Sequence, residues 1–309
     1  MDPYAILVSE LMLQQTQVAT VRSYYSRWLD RFPTIRDLAD ADEVSVLHGW
    51  QGLGYYRRAR NLHQCSKIIA GEYGGQFPST VDELIELPGI GRYTAGAIVS
   101  FAFDRPAPVV DANIARVLSR LANVRQPIDK ARGEKTIWEL AGRFSSGESP
   151  RLSNSALMDL GARLCIAREP LCAGCPVKTF CRAKDTGSLP RKRPRPVTKR
   201  RSEHYFFSLR ENHVLLERRA GPRWQGLWTL PVLSKASDDL DYAPSEEPFV
   251  SIRHAITRFV IHLKLYFRES PEKLLDGQEW KSLESIENLP MPSPHRNALK
   301  KALQKRARS

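Results

Sequence analysis

Four cysteines constrain this chain more than any other feature. Cys165, Cys172, Cys175 and Cys181 stand in the pattern C-x6-C-x2-C-x5-C, and Cys65 is the only other cysteine. Three chemistries gather thiols this closely. Two disulfides belong to oxidising compartments and small secreted domains, whereas residues 1–30 carry acidic and polar groups throughout and read as no secretory signal. A structural zinc usually shows two short C-x(2–4)-C knuckles, and only Cys172 and Cys175 form one. An iron–sulfur cluster takes four thiolates as its standard ligand set. Spacing alone leaves zinc and cluster both open.

The charge balance points to the partner. Lys and Arg number 47 against 34 Asp and Glu, a net charge of +13 in 309 residues. Such an excess favours a polyanion, most simply DNA or RNA. Hydrophobic residues make up 42%, enough for globular packing. No run approaches the roughly 18 apolar residues of a membrane span, so no membrane association is expected.

The length suggests two domains. Residues 1–186 read as helical. Apolar residues recur at helical spacing from Tyr4 to Phe32, and Pro33 closes that stretch. Thr80-Val81-Asp82-Glu83 has the form of a capping box. Asn154 to Cys165 is a further amphipathic segment. Residues 187–203 hold three prolines and seven Lys/Arg and read as an extended basic linker. Residues 204–309 change character. Tyr205–Leu209 and Val214–Glu217 read as strands around a turn at Glu211-Asn212, Phe259–Phe267 as another strand, and Pro294–Arg308 as a basic helix. This part is expected to be a smaller α+β domain.

Leu87-Pro88-Gly89-Ile90-Gly91-Arg92 lies between two helical patterns. Gly89 and Gly91 are expected to permit a tight turn with positive φ and close backbone approach. The helix starting near Arg92 would point free N–H groups outward, towards a phosphate oxygen. In a basic chain this reads as a helix–hairpin–helix.

Twenty residues further on comes Pro108-Val109-Val110-Asp111-Ala112-Asn113. Hairpin, Pro-rich approach, Asp and cysteine loop together resemble the helix–hairpin–helix DNA glycosylase superfamily, in its endonuclease III and MutY branches. Ser9-Glu10-Leu11-Met12-Leu13-Gln14-Gln15-Thr16-Gln17-Val18 and Gly52-Leu53-Gly54-Tyr55-Tyr56 are similar to MutY-type adenine DNA glycosylases, which excise adenine mispaired with 8-oxoguanine. The resemblance covers residues 2–183 and is weaker beyond. It implies a structural [4Fe–4S] cluster on Cys165, Cys172, Cys175 and Cys181, an all-α catalytic domain, and duplex DNA with an adenine opposite 8-oxoguanine or guanine as substrate.

An N-glycosidic bond breaks readily when the base leaves neutral, so an acid must protonate adenine. A second carboxylate must stabilise the oxocarbenium-like sugar, the two-carboxylate logic of glycoside hydrolysis. Glu10 lies among Leu7, Leu11 and Leu13, where burial would raise its pKa. Asp111 sits at a helix start, where N–H groups favour its ionised form. By resemblance, Glu10 is the acid at N7 and later activates water, and Asp111 is the oxocarbenium stabiliser or transient nucleophile. Asn113 would orient the site beside Asp111. Bifunctional relatives carry a Schiff-base Lys where this chain has Tyr93, which implies a monofunctional enzyme leaving an abasic site. Tyr93 would lie against the sugar or hydrogen-bond near the reacting centre. Gln14, Gln15 and Tyr55 match the wedge and intercalating positions that fill the gap left by a flipped base.

The C-terminal part resembles the family's MutT-like, Nudix-fold recognition domain through Arg218-Arg219 and Trp224-Gln225-Gly226-Leu227-Trp228-Thr229-Leu230-Pro231. The Glu-rich box that would bind magnesium is absent from the sequence, so damage reading is expected there and not nucleotide hydrolysis. The family's Phe-Ser-His loop aligns with His254-Ala255-Ile256-Thr257-Arg258, where Thr257 would supply the hydroxyl. Three further departures stand out. Met1-Asp2-Pro3 has no preceding segment with the family's Arg and Trp, which leaves an upstream start or an incomplete adenine pocket open. Ala112 replaces a usual Gly, and Ser155 a usual Gln or Glu. The remaining expectations are a monomer in a bacterial-type cytoplasm. The competing readings are a bifunctional glycosylase/lyase and a DNA-binding protein without catalysis.

Overall fold

The computed structural model describes residues 1–194, 196–233 and 245–307. Arg195 of the linker and Arg308 of the basic tail lie outside the described residues. The helices are α1 (Pro3–Leu13), α2 (Val18–Arg31), α3 (Ile35–Asp40), α4 (Glu43–Gly49), α5 (Arg57–Glu72) and α6 (Val81–Ile85). They continue as α7 (Arg92–Ala97), α8 (Ala112–Leu121), α9 (Ala131–Phe144), α10 (Pro150–Arg163) and α11 (Ser293–Arg306). The strands are β1 (Lys199–Phe207), β2 (Leu209–Arg210), β3 (His213–Arg218), β4 (Trp228–Thr229), β5 (Val250–Ile256), β6 (Phe259–Phe267) and β7 (Gln278–Ser282). Two compact units result, one of residues 1–41 and 57–194, the other of 42–56 and 195–309. Among the described residues no helix is long and apolar enough to cross a membrane.

The first unit is all-α. In α1, Asp2 caps the N-terminus by accepting from the Tyr4 N–H at 2.9 Å, and Leu7, Val8, Leu11 and Met12 are fully buried. The apolar pattern from Tyr4 to Phe32 turns out to be two helices. The break falls at Gln14–Gln17, and Arg58 of α5 makes it possible. Its buried guanidinium donates to the carbonyls of Leu11, Met12 and Gln14 at 2.6, 2.9 and 2.7 Å. Carbonyls left open at a helix end are thus satisfied from another helix. Tyr4 ties α1 to α2 by donating to the Phe32 carbonyl at 2.8 Å.

Thr80 caps α6, accepting from the Glu83 N–H at 3.4 Å, while its hydroxyl donates to the Glu83 carboxylate at 2.5 Å. The reciprocal bond of a full capping box is therefore replaced by a side-chain pair. After the hairpin, α7 runs into a buried π-helical turn at Ile98–Ala102, a rare element that gathers at functional sites. Two glycines let backbones touch. A Cβ on Gly96 would lie 2.3 Å from the Pro108 carbonyl oxygen, and one on Gly161 would lie 2.8 Å from Asn113 Cβ. These approaches fix the Pro108–Asp111 segment against α7 and α10 against the start of α8.

The basic segment 187–203 is not a free spacer throughout. Leu189 is buried, the Ile128 N–H donates to the Arg191 carbonyl at 2.9 Å, and the Arg193 N–H donates to the Asp129 carboxylate. Its last five residues form the start of β1, paired in parallel with β6 from Lys199 opposite Phe259. Linker character ends at Thr198, because strand pairing supplies the order that an apolar pattern would otherwise announce.

The second unit is α+β. One sheet has the order β1-β6-β5; in the other, β3 pairs with β2, β4 and β7. The expected strand Tyr205–Leu209 divides at buried Ser208, β1 joining the first sheet and β2 opening the hairpin with β3. The core lies between the sheets and α11, built from Phe207, Leu216, Leu263, Leu265 and Leu299. Residues 42–56, expected within the helical domain, group with this unit. The Tyr56 hydroxyl donates to the Met291 carbonyl at 3.3 Å, and fully buried Trp50 donates to the Gly54 carbonyl at 3.1 Å.

Candidate active site

Three sequence-predicted groups meet in the first unit. Glu10 projects from α1 and shares a hydrogen bond with the Tyr93 side chain of α7; Asp111 lies within electrostatic reach of both. Burial pushes the Glu10 carboxyl above its ordinary range, the Tyr93 hydroxyl bond opposes this, and the Asp111 charge adds to the rise. Burial, Glu10 and Asp111 all push the Tyr93 hydroxyl up. Tyr93 therefore stays neutral and presents a proton to Glu10.

Asp111 is the N-cap of α8, its carboxylate accepting from the Ile114 N–H at 2.6 Å. One carboxylate oxygen is thereby fixed. The approach to it is held by buried Asn154 of α10, which donates to Ser100 Oγ at 2.8 Å and to the Ala107 carbonyl at 3.0 Å. Asn113 is two residues along, in the first turn of α8. Among the described residues its side chain bonds to Arg116, which donates to Asn113 Oδ1 at 2.9 Å, to the Gly161 carbonyl at 2.7 Å and to the Cys165 carbonyl at 2.7 Å. Asn113 is thus tied to the cysteine loop. Ala112 and Ser155 are both exposed.

The four cysteines line one cavity of about 300 Å³, together with Val117, Leu160 and Leu164. All four are free thiols. Among the described residues, no three His, Cys, Asp or Glu side chains stand close enough to hold a single metal ion. Four thiols lining one cavity are the donor set that an iron–sulfur cluster takes, so the residues present fit such a group. Nearly fully buried Arg120 braces the loop, donating to Cys165 Sγ at 3.3 Å, the Ile166 carbonyl at 2.7 Å and the Leu189 carbonyl at 3.1 Å. Cys65 sits apart in α5, its thiol pushed up to about 12 by burial.

At the hairpin, Gly89 has φ +79 and a Cβ there would lie 2.6 Å from Asn61 Cβ. Gly91 departs from expectation. Its φ is −96, it is the N-cap of α7, and a Cβ there would meet nothing within 4 Å. Only Gly89 needs the left-handed region; Gly91 leaves open space before the helix N–H groups. Arg92 stacks its guanidinium over the Trp138 ring, 4.0 Å from the centroid.

Gln14 closes α1 as its C-cap. Gln15, Tyr55 and Thr257 share a backbone trait that the sequence did not announce, with φ of 57, 47 and 51. Left-handed backbone is uncommon outside Gly and Asn, and for a β-branched Thr it is a true outlier. Such strain gathers at binding sites. Tyr55 lies in the second unit and is exposed; Thr257 is the exposed tip of the β5–β6 turn. Sequence reasoning missed Arg58, Asn154, Arg116 and Arg120. The last two are spaced i, i+4 on α8, a signal indistinguishable from an ordinary polar face.

Comparison with known proteins agrees with this geometry. Residues 8–143 match the family model described as HhH-GPD superfamily base excision DNA repair protein, and residues 204–301 match the NUDIX domain. Adenine DNA glycosylase of Buchnera aphidicola subsp. Baizongia pistaciae is 35% identical over 273 residues, covering 86% of this chain and 77% of that protein. The human adenine DNA glycosylase is 46% identical over 182 residues, 59% of this chain and 33% of that protein. The chain thus spans about a third of the length of its human relative. Among solved structures, a thermostable thymine-DNA glycosylase is 29% identical with a TM-score of 0.52, covering 59% of this chain and 83% of that one. A non-covalent endonuclease III–DNA complex is 27% identical with a TM-score of 0.52, over 59% and 84%. A helical HhH-GPD unit with a half-buried acid, an N-capping Asp and a cysteine cavity, joined to a NUDIX unit and 35% identical to an adenine DNA glycosylase over most of both chains, places the chain in the adenine DNA glycosylase family.

Proposed function

We propose that this chain is a monofunctional adenine DNA glycosylase of base excision repair, acting on adenine opposite 8-oxoguanine or guanine in duplex DNA. The observation that carries this reading is the Glu10–Tyr93–Asp111 group. Glu10, held above its ordinary pKa, donates a proton to adenine N7. The glycosidic bond then breaks with its electron pair leaving on neutral adenine. The positive sugar forms within reach of Asp111, whose carboxylate is fixed by the α8 N-terminus. Water adds to the sugar carbon and passes its proton to Glu10, which restores the acid. Tyr93 offers no amine, so no Schiff base forms and the strand stays intact.

In this reading residues 1–186 carry the chemistry and 204–309 read the lesion. Gln14, Gln15 and Tyr55 fill the space of the flipped base, Gly89 and Gly91 meet a phosphate, and Thr257 inspects 8-oxoguanine; three strained backbones support these roles. Cys165, Cys172, Cys175 and Cys181 would hold a [4Fe–4S] cluster, whose contribution is to cross-link the loop. Arg116 and Arg120 join that loop to α8. A monomer acting in the cytoplasm, where bacterial-type DNA lies, completes the proposal.

The test is single-turnover incubation with a duplex carrying adenine opposite 8-oxoguanine, with and without alkali. Strand cleavage only after alkali is expected. Cleavage without alkali would establish a lyase instead, and binding with no product would leave a recognition protein.

A further inference from the structure

The sheet β1-β6-β5 has two unlike faces. Its register aligns Arg200 with Val260 and Ala255, Ser202 with His262 and Arg253, and His204 with Lys264 and Ser251. Paired residues share a face and alternate residues oppose it, so Arg200, Arg253, His262, His204 and Lys264 all lie on the side away from the core. The opposite face carries Phe207, Leu263 and Leu265 into the core. Across the three strands there is one carboxylate, Glu203. It falls on the core side and is bound there by Arg201, Arg223 and the Tyr205 hydroxyl. The outer face is thus free of acid. Among the described residues no ion pair engages Arg200, Arg253 or Lys264. Arg200 and Arg253 are exposed and Lys264 is half-buried. His204 is held upright by stacking on Tyr266, its Nδ1 3.0 Å from the Tyr266 hydroxyl.

A soluble sheet face normally mixes charges of both signs, because unopposed cations repel one another across strands. Three cations without a counterion, flanked by two imidazoles and two serine hydroxyls, match a row of phosphates. The face also ends at the Thr257 turn, the position proposed to read the lesion. We infer that the outer face of the β1-β6-β5 sheet is a second binding surface for the phosphodiester backbone of duplex DNA, separate from the hairpin of the helical unit. This rests on the reading of the chain as a DNA enzyme.

The experiment measures affinity of the full chain for an undamaged duplex across a salt series, so it is readable even if adenine excision fails. Each phosphate contact contributes about 0.9 to the slope of log K against log salt. The triple variant Arg200→Gln, Arg253→Gln, Lys264→Gln is expected to lower that slope by about 2 to 3. A control with Lys273→Gln, Lys300→Gln and Lys301→Gln, exposed residues of equal charge elsewhere in the same unit, is expected to change it far less. The pair Arg200→Lys, Arg253→Lys, which keeps the charge, is expected to retain the wild-type slope. An unchanged slope in the triple variant, or an equal fall in the control, overturns the inference. Near-UV circular dichroism checks folding; should the triple variant misfold, Arg253→Gln alone is read, with a fall of about 1 expected and no fall contradicting the surface.

Discussion

Glu10 is held between opposing influences, and their balance can be shifted one residue at a time. Burial and Asp111 raise its pKa, while the Tyr93 hydroxyl lowers it. Tyr93→Phe removes the lowering bond, so the upper limb of the pH–rate profile should move to higher pH; an unmoved limb would show that Tyr93 does not touch the acid. The same imbalance acts on stability. A carboxyl whose folded pKa is raised favours the fold at low pH, and that contribution is lost as pH rises through the folded value. Glu10→Gln should therefore melt about 2 °C or more above wild type at pH 8, with the gap closing near pH 4. Equal melting at both pH values would mean that Glu10 is not strained by burial. Glu10 and Asp111 stand out in the sequence through the family motifs around them, Ser9–Val18 and Pro108–Asn113; a Glu among leucines or an Asp at a helix start would not by itself have marked them. The role of Arg116 and Arg120 was not, since only the folded chain brings the Cys165 carbonyl and sulfur beside them.

Elements were legible where periodicity decides them and illegible where a distant side chain does. The break between α1 and α2 is hidden because Leu13, Val18 and Val21 continue the apolar pattern through it. What ends α1 is Arg58, forty-four residues beyond Gln14. Likewise Lys199–Glu203 reads as linker, having no apolar residue, yet it pairs with β6. The hairpin separates fold from function at two glycines. Gly89→Ala meets Asn61 and an unfavourable φ, and should cost about 1–3 kcal/mol of stability. Gly91→Ala meets nothing and has an ordinary φ, so melting should be unchanged while duplex affinity falls about tenfold, or about 1.4 kcal/mol. Full affinity in Gly91→Ala would remove this position from the phosphate site.

At the scale of the whole molecule, the cysteine loop, α8 and residues 186–193 form one connected body. Arg120 reaches the Thr186 and Leu189 carbonyls on one side and Cys165 on the other. Filling the cavity with a cluster would therefore stabilise the position of Asp111 through α8. Iron analysis should give four atoms per chain, and Cys175→Ser should lose iron and melt at lower temperature. One tightly bound zinc per chain would refute the cluster. The two-unit organisation could be foreseen from the change of character after residue 203. The grouping of residues 42–56 with the second unit could not, since contacts such as that of Tyr56 with the Met291 carbonyl join residues 235 positions apart.

The chemistry assigned to Glu10 and Asp111 is tested most directly by the base released. Wild type, Glu10→Gln and Asp111→Asn are incubated with a duplex carrying adenine opposite 8-oxoguanine, in single turnover, and free adenine is measured by mass spectrometry. Wild type should release one adenine per duplex, and each variant should be slower by about 100-fold or more while still binding DNA. Adenine release by Glu10→Gln at the wild-type rate would contradict the mechanism.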